Sequence, residues 1–130
     1  MPDGFVAMAD HQYVLLTTTR RTGMPVPTPV WVGRDGDTLV VTTGAEAGKV
    51  KRVRHTPQVT VQACDRAGKP LDGAPVIDAV ASVHDDDESR ARLDAVLSAK
   101  YGVQYAAIRA MSKLRGRRAA GSVVVRLTRP

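Results

Sequence analysis

Leu39-Val40-Val41-Thr42-Thr43-Gly44-Ala45-Glu46-Ala47-Gly48-Lys49-Val50-Lys51-Arg52 joins a β-branched strand ending in two hydroxyls to a glycine-flanked loop and a cationic helix start. The first turn of a helix leaves backbone N–H groups unpaired and carries partial positive charge, which normally draws acids. Here Lys49 opens the turn, and Arg52, three residues on, leaves the helix from roughly the same face, so the cations add to the dipole. An anion, with phosphate the best candidate, is the expected occupant. Val50 and Val53 can bury the opposite side, and Pro57 sets the end of the helix. A nucleotide-triphosphate loop is excluded, because Gly44 and Gly48 enclose three residues instead of four and Val50 stands where the magnesium-binding hydroxyl belongs. The competing reading is a merely solvated cationic helix face formed by Lys49, Lys51, Arg52 and Arg54.

On either side of this stretch the pattern is that of short strands. Tyr13 to Thr19, Val26 to Val32 and Thr38 to Thr43 are rich in Val, Thr and aromatics and read as an antiparallel meander. Arg20 to Gly23 joins the first pair, and Gly33 to Asp37, with its Asp-Gly signal, joins the second. Pro25, Pro27 and Pro29 alternate along the second strand and remove ladder donors, which makes it an edge. Gln58 to Cys64 and Pro75 to Val83 follow as strands around a turn at Asp65 to Pro70. Asp85, Asp86, Asp87 and Glu88 then load the start of a helix whose Leu93, Val96, Leu97 and Tyr101 repeat at helical spacing before Gly102 stops it. Those acids read as dipole complements. A shorter helix from Gln104 to about Leu114, with Tyr105, Ile108 and Met111 inward, leads through Arg115 to Arg118 to a last strand, Ser122 to Leu127. The expectation is a mainly β (α+β) fold in one domain spanning residues 1–130. It is a six-stranded antiparallel β-barrel with flanking helices over its open ends.

Composition narrows the function. A net charge of +6 favours an anionic partner. Aromatics amount to only 4%, and Trp31, Tyr13, Tyr101 and Tyr105 are not interleaved with the basic residues, which argues against nucleic acid. No apolar run approaches a membrane span, and Met1 to Gly4 has no signal-peptide layout, so the chain is read as cytoplasmic with no membrane partner. Cys64 is the single cysteine and reads as structural. His11, His55 and His84 lack metal-ligand spacing, so no metal is expected. No catalytic acid, base or nucleophile stands out.

Five segments in order, Tyr13 to Thr18, Pro27 to Trp31, Gly48 to Arg54, Ala63 to Asp65 and Lys100 to Gly102, resemble the pyridoxamine 5'-phosphate oxidase-like split barrels, and within them the branch that uses the deazaflavin coenzyme F420. The resemblance runs from about Tyr13 to Leu127. It implies an FMN-binding split barrel type of fold, a homodimer with the cofactor in the groove between subunits, and hydride transfer to a small planar unsaturated substrate. It places Lys49 on the cofactor phosphate, with Thr42 and Thr43 at the strand end beside it and Lys51 and Arg52 flanking. It sets Thr28, Pro29, Val30 and Trp31 along the tricyclic ring. True pyridoxamine-phosphate oxidases carry an arginine where Thr28 stands and a lysine where Gly33 stands, which turns the reading away from vitamin B6 oxidation. FMN is the alternative cofactor, and a non-catalytic cofactor or haem carrier the alternative role. For Trp31 the bland reading, barrel core, competes with that of a ring-lining wall.

Overall fold

A computed structural model describes residues 5–44, 48–107 and 122–130. Its strands are β1 (Tyr13–Thr19), β2 (Pro25–Trp31), β3 (Gly33–Asp35), β4 (Thr38–Gly44), β5 (Gln58–Cys64), β6 (Ile77–His84) and β7 (Ser122–Thr128), with helices α1 (Gly48–His55) and α2 (Asp87–Tyr101). All pair antiparallel in one curled sheet of order β2-β1-β5-β6-β7-β4-β3. This is the split-barrel α+β architecture read from the sequence, with three corrections.

First, the described residues form seven strands and not six. Gly33–Asp35, read as a connection, pairs with Leu39, Val40 and Thr38 of β4 through a turn at Gly36, whose φ of 63° suits the first central position of a tight hairpin. Second, the first three expected strands do not form a meander, because β2 and β4 lie on opposite flanks of the sheet order and meet only where the sheet curls. Third, Pro75 and Val76 stay outside β6, which starts at Ile77. The helix expected from Gln104 to Leu114 is seen over 103–107, and Ile108, Met111, Leu114 and Arg115 to Arg118 lie outside the described residues. Among the described residues no helix is long and apolar enough to cross a membrane.

The alternation along β1 is strict. Val14, Leu16 and Thr18 point into the barrel while Tyr13, Leu15 and Thr17 stay half-exposed. β4 and β7 differ, because both of their faces are covered. Leu39, Val41, Val125 and Leu127 join the barrel interior, whereas Val40 and Val124 pack outward against Leu93, Leu97 and Tyr101 of α2. The uninterrupted apolar runs at Leu39–Val41 and Val123–Val125 follow from this two-sided burial. Val53 of α1 and Phe5 and Met8 of a short 3-10 turn close the interior core. α2 therefore covers a wall of the barrel and not an open end.

α2 starts where Asp86 accepts hydrogen bonds from the Ser89 N–H (2.9 Å) and hydroxyl (2.8 Å), with Asp87 and Glu88 in the first turn, so the acids do complement the dipole. It stops at Gly102, whose φ is 55°. Its docking has no slack, since a Cβ on Gly33 would sit 2.3 Å from Cγ1 of Val96. The Tyr101 hydroxyl donates to the Gln12 carbonyl (2.6 Å) and accepts from the Val32 N–H (3.1 Å), while the Lys100 ammonium donates to the carbonyls of His11 and Val32, each at 2.6 Å. Burial pushes the Tyr101 phenol up to about 12 and pulls Lys100 down to about 8.

Asp35 ties three elements together. Its carboxylate accepts from Arg92 of α2 (Nε, 2.9 Å) and Arg126 of β7 (3.1 Å), and Arg126 also reaches the Thr38 hydroxyl at 2.6 Å. The Arg92 hydrogen bond chiefly, with Arg126 adding and burial opposing, holds the Asp35 carboxyl at about 2 against an ordinary 3.8. A folded value below the unfolded one means the stabilisation is present above pH 3.8 and is lost as pH falls toward 2. Asp35→Asn should therefore cost about 1–2 kcal/mol at neutral pH, the exposed Arg92 reducing the effect. Urea unfolding of the two proteins should converge near pH 2.

Candidate functional site

The sequence-predicted residues fall into two groups. Lys49 is half-buried in the first turn of α1, where no acid stands, and Val50 and Val53 are the buried residues of the helix. Arg52 turns its Nε onto the hydroxyl of Thr18 at 2.6 Å, and Thr18 is 1% exposed at the inner end of β1. Burial first, and the Arg52 charge second, lower the pKa of the Lys49 ammonium. Among the described residues no carboxylate pairs with either cation. Two like charges so placed, one of them partly desolvated, lack an anion, and a phosphate or carboxylate suits them. Gly48 belongs to this arrangement, because a Cβ there would meet Nη1 of Arg52 at 2.9 Å.

The remaining residues are arranged by strand alternation. Thr43, 9% exposed, shares the inward side of β4 with Leu39 and Val41, while Thr42 lies on the outward side with Val40. Thr28 and Val30 face the same side as Leu16 and Val14, their partners on β1, whereas Pro29 and Trp31 lie on the other face of β2. Lys51 is exposed. Lys49 and Arg52 are thus brought together, Thr28 and Thr43 share their side of the sheet, and Thr42, Lys51, Pro29 and Trp31 do not join that group.

Thr18 was missed by the sequence reading. Its signal was present, since a hydroxyl occupies the third apolar slot of the Val14-Leu16-Thr18 alternation. Also missed was a cleft of about 690 Å³ at the opposite end of β1, lined by Gln12, Tyr13, Trp31, Cys64, Asp65, Arg66 and Gln104. Trp31 stacks on Tyr101 with ring centroids 4.2 Å apart and planes 6° from parallel, so it is half in the outer core and half in this cleft. Cys64 is buried, and burial pushes its thiol up, which keeps it protonated. Among the described residues no group of three or more His, Cys, Asp or Glu could hold a metal ion.

Residues 3–128 match the pyridoxamine 5'-phosphate oxidase family. No curated protein matches the sequence. Among solved structures, a haem storage protein from Vibrio cholerae aligns with TM-score 0.68 at 19% identity over 95% of this chain and 84% of its own. An F420 reductase aligns with TM-score 0.61 at 17% identity over 98% and 94% of the two chains. An FAD-binding protein from Mesorhizobium loti gives 0.61 at 16% over 94% and 82%. These likenesses establish a shared fold.

The coupling between the two cations is directly testable. Replacing Arg52 with Gln removes the like charge and should raise the Lys49 pKa while leaving it below the ordinary lysine value, because burial persists. Titration of the Lys49 side-chain ¹³Cε resonance reads this, and an unmoved pKa would show that the two groups are independent.

Proposed function

The chain belongs to the pyridoxamine 5'-phosphate oxidase family, and from that premise we propose that it is an oxidoreductase dependent on coenzyme F420, acting on a small planar unsaturated substrate. The observation that carries the reading is the half-buried Lys49 beside Arg52, a cation pair without a carboxylate partner among the described residues. Lys49, Arg52 and the free N–H groups of the first turn of α1 would hold the phosphate. Thr43 adds a hydroxyl at the end of β4. Lys51 and Arg54, exposed on the same helix, suit the carboxylates of the lactyl-glutamate tail beyond the phosphate.

When bound, the deazaflavin supplies the hydride chemistry. The protein's own work is to hold two flat molecules in contact and keep water out, which needs no acid, base or nucleophile. Thr28, Pro29, Val30 and Trp31 lie along an edge strand, so a ring laid beside β2 can touch residues of both its faces. Because the two faces are reached from one edge only if something closes over it, we place the ring in a groove between two copies of the chain in a homodimer. Gly33 leaves no room for the lysine of true pyridoxamine-phosphate oxidases, since Val96 occupies that space.

Titration with oxidised and reduced F420, followed by quenching of Trp31, should give saturable binding that exceeds binding of FMN. Tight FMN binding with a flat deazaflavin titration would reverse the cofactor, and haem binding without turnover would make the chain a carrier. Lys49→Ala should weaken F420 binding by about 1.5–3 kcal/mol, roughly ten- to 150-fold, as expected for a lost charge-assisted hydrogen bond. Unchanged affinity would return Lys49 to an ordinary solvated helix face.

A further inference from the structure

The cleft at the start of β1 is built from cross-strand neighbours. Tyr13 pairs with Trp31 of β2 on one side and with Cys64 of β5 on the other, so indole, phenol and thiol form one row on the outer face of the sheet. Tyr101 covers one face of Trp31 and does not itself line the cleft, so the indole meets the cleft with the surface that Tyr101 leaves open. The Lys100 ammonium lies 4.9 Å from the centroid of the Tyr101 ring, completing a column of cation, phenol and indole. Hydrogen bonds from Lys100 and Tyr101 to the backbone at His11, Gln12 and Val32 hold that column still. An indole fixed in this way is a platform for another flat ring, and an electron-poor one stacks best on it.

The opposite rim carries a charge on a pinned loop. The Asp65 N–H donates to the Lys69 carbonyl (2.9 Å), the Gly68 N–H to the Asp65 carbonyl (3.0 Å), and one carboxylate oxygen of Asp65 accepts the N–H groups of Ala67 and Lys69, both at 2.9 Å. Arg66 is exposed at the crest of this turn, and none of the described residues pairs with its guanidinium. One oxygen of the Asp65 carboxylate is committed to the loop's own amides, and Cys64, its pKa raised by burial and then by the Asp65 charge, adds no charge of its own to the floor. Gln12 and Gln104 add amides, which can donate or accept at a ring edge. The volume of about 690 Å³ lies within the range of small-molecule sites.

We propose that this cleft binds a planar, electron-poor aromatic carboxylate, its ring on Trp31 and its carboxylate on Arg66. The site lies at the other end of β1 from the Lys49–Arg52 pair and on the opposite face of the sheet. It shares only Trp31 with the deazaflavin reading and does not depend on it.

The test uses the whole chain without cofactor and 4-nitrobenzoate as probe, followed through the indole N–H resonance of Trp31, the single tryptophan. A saturable shift is expected, with cyclohexanecarboxylate, which has the charge without the ring, and nitrobenzene, which has the ring without the charge, each at least about tenfold weaker. Arg66→Gln should weaken the probe at least about fivefold with an unchanged melting temperature, since the side chain is exposed and pairs with none of the described residues. Lys49→Ala should leave the probe's affinity as it was. No saturable shift, equal binding of all three compounds, or full affinity in Arg66→Gln would overturn the proposal. F420 binding is read separately through Lys49→Ala, so either reading can fail alone.

Discussion

The barrel stands because one of its walls is buried twice. β4 and β7 place Leu39, Val41, Val125 and Leu127 inside and Val40 and Val124 outside, and the outer set is kept from water by α2 together with Tyr105 and Trp31. At about 25 cal/mol per Å² of apolar surface, an uncovered wall of valines would remove much of the folding free energy of so small a domain. α2 must therefore dock, and its place is fixed by three contacts of different kinds: the close approach of Val96 to Gly33, the Asp35 ion pairs, and the Tyr101 hydroxyl between Gln12 and Val32. The same docking sets Trp31, because the indole stacks on the helix's last aromatic residue. Packing of the wall thus determines where a functional surface can be.

Charge on this molecule separates into two classes. Asp35 sets one carboxylate between the guanidinium groups of Arg92 and Arg126, and the effect of the cluster is mechanical. Lys49, Arg52 and Arg66 have no carboxylate partner among the described residues. Lys49 is partly desolvated beside a like charge, an arrangement that costs stability unless an anion joins it. Arg52 and Arg54 stand in the last turn of α1, where cations complement the dipole, whereas Lys49 in the first turn runs against the helix's own electrostatics.

Much of this was legible in the sequence. Strand positions came from β-branched runs and turn residues, the edge character of β2 from its three alternating prolines, and the limits of α2 from Asp86 and Gly102. What local pattern could not supply was pairing across distance. Gly33–Asp35 looks like a turn because it is short and polar, and it becomes a strand only when β4 lies beside it. The expected meander failed for the same reason, since sequence neighbours need not be sheet neighbours and the strand order puts β2 and β4 on opposite flanks. The site was half legible. Lys49 and Arg52 share a helix face, so their spacing revealed them. Thr18 lies 34 positions from Arg52, and no spacing rule connects the two.

The prolines of β2 bear on the proposed assembly. Proline cannot donate, so Val26, Thr28 and Val30 are left to carry the ladder to β1, and Pro25, Pro27 and Pro29 turn an edge without N–H groups outward. Another strand cannot extend this sheet there, which protects the edge from runaway pairing. Carbonyls and half-buried side chains remain on offer, and they suit a flat ligand or the side chains of a second copy better than a strand. An edge closed to backbone pairing yet open to side-chain contact is the surface that the proposed homodimer would use, with the cofactor between its halves. The proline spacing that looks like a defect in a strand is, by this argument, what reserves that edge for binding.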